Sequence, residues 1–250
     1  MQDESRKDEH GQNPLSVVDR QAERKAQTRK ALLEAARSLI FERPEGGHEA
    51  ISISDITHRA GVSTGTFYNY FDTKQDVFLA VIDDYRTCFR DCLDQVRAGI
   101  SDPAMTIAVS LNYYFREAST NEAWNTFVAR CGLDGEHLLH QDPDQCLADV
   151  KRGATAGRFK SEDPAFTQNL VTGMVQHTLR QIAAGRLDGD AAKATTAHVL
   201  RMLGLPDLVA RALADGRLPP IAAPRRTPIT EAPANVTPLV VLSGETARNS

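Results

Sequence analysis

Cysteine is scarce in this sequence: Cys88, Cys92, Cys131 and Cys146 are the only four in 250 residues. None stands in a C-x-x-C or finger-like spacing. Cys88 and Cys92 lie one helical turn apart within an apolar stripe, so they read as small buried hydrophobes rather than a redox pair, as suits a reducing cytoplasm. No secretory core and no long apolar run is present, so neither export nor a membrane partner is expected. Strand signals are missing throughout, which leaves an all-α class. An overall excess of positive charge is missing too, with Lys+Arg 29 against Asp+Glu 33 and a net charge of −4. His137, His140, Asp142 and Cys146 match no compact ligand spacing, so no metal and no cofactor is expected.

A 41% hydrophobic content is enough for a real core. The charge balance also hides a local bias. Arg20, Arg24, Lys25, Arg29 and Lys30 face a single acid, Glu23, over eleven residues. Local positive charge is what phosphate contact requires, although helix phasing cannot put all five on one face.

The most informative stretch follows, SISDITHRAGVSTGTFYNYFDTK from Ser52 to Lys74. Ser52 is a helix cap and Asp55 closes a capping box with it. Ile53, Ile56 and Ala60 share one face, and Gly61 stands where a helix must stop at positive φ. Ser63 caps a second helix, Thr64 to Phe71, with Phe67 and Phe71 facing inward. Thr73 and Asp76 repeat the capping logic for a third helix. A short helix, a Gly turn and a second helix make a helix-turn-helix.

On the outward face of the second helix stand Thr64, Thr66, Tyr68, Asn69 and Tyr70, which can reach phosphates and base edges. Gly65 removes bulk at the helix start, and Lys74 sits beside the next helix N-terminus, a place suited to a phosphate. The run DITHRAGVSTGTFYNYFDTKQDVF resembles the signature of the TetR family of bacterial transcription regulators. The resemblance covers the first third of the chain in detail. It implies that Thr64, Gly65, Thr66, Tyr68, Tyr70 and Lys74 contact DNA; Asn69 lies between such positions, and the cap serines Ser52 and Ser63 complete the candidate set. Tyr68 and Tyr70 are two apart and cannot share one face, so one is expected to reach DNA while the other packs partly inward.

Gly61–Gly65 also matches G-x-S-x-G, the nucleophile elbow of α/β-hydrolases, with Ser63 as nucleophile. That elbow needs a buried strand before the serine. DITHRA is capped as a helix and lacks a β-branched apolar run, so the chain is read as no enzyme and the serine hydrolase is kept as the alternative function.

The remaining order follows from caps and periodicity. Residues 1–18 read as a disordered arm, and 19–72 as a DNA-binding domain opened by a helix from Asp19 to about Phe41. Pro44, Gly46 and Gly47 form a loop. A long helix from Thr73 to about Ala98 joins this unit to a helical ligand-binding and dimerisation domain at 73–216. Asp102-Pro103 and Asp163-Pro164 are cap-plus-proline starts. Residues 133–143 read as an irregular connection. Six of the twelve prolines fall after Gly216, so 217–250 reads as a flexible tail.

Tyr85, Phe89, Tyr114, Trp124 and Phe127 are expected to line a cavity for a small apolar or aromatic effector; singly, each would serve equally well as core. The family resemblance implies such a pocket. Helices at 163–184 and 190–203 carry excess small and apolar surface, and Val171, Met174, His177, Ala194 and Ala197 are the expected homodimer contacts. The expected function is a sequence-specific DNA-binding regulator, a ligand-released repressor on a palindromic double-stranded DNA operator. A helical regulator without ligand response is a further alternative.

Overall fold

The computed structural model describes residues 17–43, 46–131 and 143–221. Every regular element among them is helical, and none is long and apolar enough to cross a membrane. The expectations for the arm, for 133–142 and for most of the tail, with His137, His140 and Asp142, lie outside the described residues.

The elements run α1 Val17–Glu42, α2 Ile53–Ala60, α3 Thr64–Phe67, α4 Lys74–Ala98, α5 Pro103–Thr120, α6 Glu122–Arg130, α7 Pro143–Thr155, α8 Pro164–Ala183, α9 Gly189–Met202 and α10 Asp207–Ala214. Helix α1 thus begins two residues before the cap expected at Asp19. It lays Leu32, Leu33, Ala36, Leu39 and Ile40 across α2, α3 and the first turns of α4, where Ile56, Phe67, Val77 and Phe78 complete a small core. Two ion pairs fasten its C-terminal end: Arg59 donates to both oxygens of Glu42, and Arg43 donates to one oxygen of Asp55 at 3.0 Å.

Helix α5 is the axis of the second domain. It is apolar nearly all round, as a helix surrounded by others must be, with Ile107, Ala108, Leu111, Tyr113, Tyr114 and Phe115 all buried. Asp102 caps it through the Ala104 amide, and Pro103 occupies the first turn, where no N–H is needed. The far end of α4 is pinned to this axis by a buried charge. Arg97 donates to both oxygens of Asp149 on α7 at 2.8 Å and to the Ser110 hydroxyl on α5 at 2.7 Å. The Asp149 side chain is only 3% exposed. Removing one member of so buried a pair strands the other, at about 3–5 kcal/mol.

The chain after α10 does not leave the surface at once. The Tyr113 hydroxyl donates to the Pro219 carbonyl, and Leu218 and Ile221 pack on the core. Residues 217–221, expected as the start of a flexible tail, thus form a strap on the folded chain.

Candidate functional site

The helix-turn-helix is built by short-range capping. The Ser52 hydroxyl accepts from the Asp55 amide at 3.1 Å, and the Asp55 carboxylate accepts from the Ser52 amide at 2.9 Å. Arg43, then Ser52, hold the Asp55 carboxyl far below its ordinary range. Gly61 ends α2 with φ 68°, a conformation that costs a residue with a Cβ. The Ser63 hydroxyl accepts from the Thr66 amide at 3.1 Å and shares a hydrogen with the Thr66 hydroxyl at 2.8 Å.

This geometry removes the nucleophile elbow. A helix, α2, precedes Ser63 where the elbow needs a strand, and the serine hydroxyl is already spent on a cap.

Helix α3 is shorter than expected. Regular α-helix stops at Phe67, and the chain continues to Phe71 through tightened bonds from Asn69 to Thr66 and from Tyr70 to Phe67. Phe67 and Phe71 turn inward with ring centroids 5.7 Å apart. Thr64, Gly65, Tyr68 and Asn69 stand exposed, Tyr68 by 55%, while Thr66 is half-buried and Tyr70 packs partly on the core. Arg20, Arg24, Lys25, Arg29 and Lys30 are all exposed along α1, and Arg29 lies 5.8 Å from the Phe71 ring centroid. The first helix thus brings a cation to Phe71, at the end of the turn that follows α3.

Lys74 is placed differently from expectation. Its ammonium donates to the carbonyls of His48, Glu49 and Ile51 at 3.0, 3.1 and 3.0 Å. Three donors meet three acceptors, so in this arrangement none remains for a phosphate. The lysine closes a 3-10 turn, Gly47–Ala50, within what reads in sequence as a plain loop.

The five aromatics expected around a cavity are packed as core. Tyr85 stacks on Trp124 at 4.5 Å, and Phe89 meets Tyr114 at 5.4 Å. The Tyr85 hydroxyl donates to Glu117, and burial together with that carboxylate pushes its pKa up, so it stays protonated. Phe127 stands between Phe41 of α1 and Phe78 of α4, at 6.2 and 6.4 Å. None of the five borders the cavity of about 240 Å³ that opens between α5, α8, α9 and the end of α10. That cavity is lined by residues the sequence did not single out for a ligand, among them Asn112, Arg116, Ser119 and Lys193.

Among the expected dimer contacts, His177 and Ala194 are exposed and Met174 is half-buried. Val171 is buried in the chain's own core, where α8 packs on α5 and α7, and Ala197 is buried where α9 meets α10. The apolar stripe that α8 leaves outward is Phe166 and Leu170, 61% and 45% exposed, continued by Gly173 and His177.

With this geometry in place, comparison with known proteins is informative at both ends of the chain. Residues 32–81 match the family model for bacterial regulatory proteins of the tetR family. Residues 102–216 match a tetracyclin repressor-like C-terminal domain. The transcriptional regulator AcuR of Cereibacter sphaeroides is 32% identical over 87 residues, which cover 35% of this chain and 38% of that protein. An uncharacterised helix-turn-helix regulator of Haemophilus influenzae is 27% identical over 124 residues, 44% of this chain and 60% of its own. The chain thus spans less than two thirds of either curated relative. The crystal structure of RolR in complex with resorcinol matches more completely: 30% identity, 80% of this chain, 100% of that chain and a TM-score of 0.63.

Proposed function

The chain belongs to the TetR family of bacterial regulatory proteins, and from that premise we propose that it is a repressor that binds a palindromic operator as a homodimer and is released by a small aromatic or apolar effector. The observation that carries the DNA-binding part is the exposed face of α3 beside the cations of α1. Tyr68 and Asn69 offer donors and acceptors to base edges, Gly65 permits close approach, and Arg29 and its neighbours supply phosphate contacts. Two such units related by two-fold symmetry read half-sites about 34–36 Å apart in successive major grooves.

The stripe Phe166, Leu170, Gly173 and His177 supports pairing through α8, which a second copy would extend to a four-helix bundle. An aromatic effector is supported by the RolR relative, whose solved complex holds resorcinol. The test is selection and sequencing of genomic DNA retained by the full chain, followed by footprinting. The expected footprint is palindromic, and Tyr68→Ala should weaken it by about 1–3 kcal/mol while relaxing base preference. Retention of DNA with no shared sequence, or an affinity indifferent to Tyr68→Ala, would count against this reading.

A further inference from the structure

The cavity between α5, α8, α9 and the end of α10 has a lining with a definite chemical bias. Phe115, Ile182, Ala192 and Leu218 make its body apolar, while Arg116 and Lys193 bring two cations to its edge. Its polar wall is already satisfied: the Asn112 amide donates to the Ala214 carbonyl at 2.9 Å and accepts from the Thr196 hydroxyl at 2.9 Å. That leaves the two cations, and the Asp215 carboxylate that lines the same cavity, as the groups with capacity to spare, with the cations in excess by one.

Arg116 is held in place without an ion partner. Its guanidinium lies over the Tyr113 ring, 4.5 Å from the centroid, and among the described residues no carboxylate lies within ion-pair distance of it. The Tyr113 ring is itself fixed, because its hydroxyl donates to the Pro219 carbonyl of the strap that follows α10. Lys193 is paired only loosely, 3.7 Å from Asp215 with both side chains more than half exposed, a contact of small energetic weight. An arriving anion therefore displaces only that weak contact, and it meets Arg116 and Lys193 against the single Asp215 carboxylate. The volume, about 240 Å³, falls below the about 300–1,000 Å³ of pockets for drug-sized ligands, which limits the guest to a single ring or a short chain.

From this arrangement we propose that the cavity is a binding site for a small apolar monocarboxylate, its hydrocarbon body against Phe115, Ile182 and Ala192 and its carboxylate between Arg116 and Lys193. The site is separate from the aromatic core around Tyr85 and Trp124. It deepens the effector reading above by naming a seat and a chemical class, and rests on that reading only for its biological use.

The experiment is calorimetric titration of the full chain with benzoate, with neutral benzyl alcohol as the control for charge. Benzoate should bind in preference to benzyl alcohol. Arg116→Gln, a surface change that leaves the core intact, should weaken benzoate at least roughly tenfold, the usual weight of a charge-assisted hydrogen bond. Ala192→Phe should fill the cavity and abolish binding of both compounds. No benzoate binding at millimolar concentration, or an affinity unchanged in both variants, overturns the site. Operator affinity measured with and without benzoate reports on the effector reading alone, so the two failures remain distinguishable.

Discussion

Lys74 illustrates how one side chain can be read two ways from its neighbours in sequence. Beside a helix start and a recognition helix, a lysine suits a phosphate; in the folded chain its three donors hold three carbonyls of the turn at 48–51. Lys74→Ala should therefore cost stability, about 1–3 kcal/mol for the acceptors left unpaired, seen as a lower urea midpoint. The salt dependence of operator binding should stay unchanged. A slope lower by about 1 would mean that the ammonium leaves the carbonyls for a phosphate in the complex. The thiols are the second residue-scale case. Burial pushes Cys131 up to about 12, and burial with the Asp149 charge does the same for Cys146. Neither should react with iodoacetamide at neutral pH while the chain is folded, and mass spectrometry should find both alkylated only on unfolding.

At the scale of elements, what could be read from sequence is what forms within four residues. The boxes Ser52/Asp55 and Thr73/Asp76, the stop at Gly61 and the Asp102-Pro103 and Asp163-Pro164 starts are local hydrogen-bonding devices, so composition and spacing reveal them. The contacts that escaped are long-range: Lys74 with 48–51, Arg97 with Asp149, Phe127 with Phe41. Helices α8 and α9 escaped in a different way. Both carry apolar residues on more than one face, so periodicity could not say that Val171 and Ala197 turn inward while Phe166 and Leu170 turn out.

The α1–α2 clamp yields an element-scale prediction. Hydrogen bonding to Arg59 lowers the Glu42 pKa, and hydrogen bonding to Arg43 and Ser52 lowers that of Asp55. A carboxyl depressed in the folded state stabilises it fully above the unfolded pKa, and that contribution is lost as pH falls toward the folded value. Stability should thus decline with acid from about pH 5 downward, through the ordinary carboxylate range and on toward the depressed folded values. The double change Glu42→Gln with Asp55→Asn should flatten that slope, in urea midpoints taken across the range. Since both side chains are partly exposed, the change should shrink in high salt.

The whole molecule is joined by more than the long helix. Helix α4 runs from the helix-turn-helix to Arg97, which anchors it in the second domain. Helix α6 makes a second joint. Phe127 inserts between Phe41 and Phe78, Arg130 donates to the Ile40 and Phe41 carbonyls at 3.2 and 3.3 Å, and Gly47 leaves room for the Arg130 carbonyl, which a Cβ there would meet at 2.4 Å. An effector acting on the second domain thus has two rigid routes to α1 and α3, and their energetic coupling is what a switch needs. Coupling is measurable without knowing the effector. Trp124, the single tryptophan, is buried against Tyr85 and reports on the second domain, while far-ultraviolet circular dichroism reports on all helices. In the natural chain the two probes should trace one transition. Phe127→Ala should remove about 3–5 kcal/mol of packing and let the helix-turn-helix melt first, so that helical signal is lost before Trp124 fluorescence changes. Arg130→Met, which keeps the aliphatic bulk and loses only the two carbonyl bonds, should split the curves less. Coincident curves in both variants would assign the coupling to α4 alone.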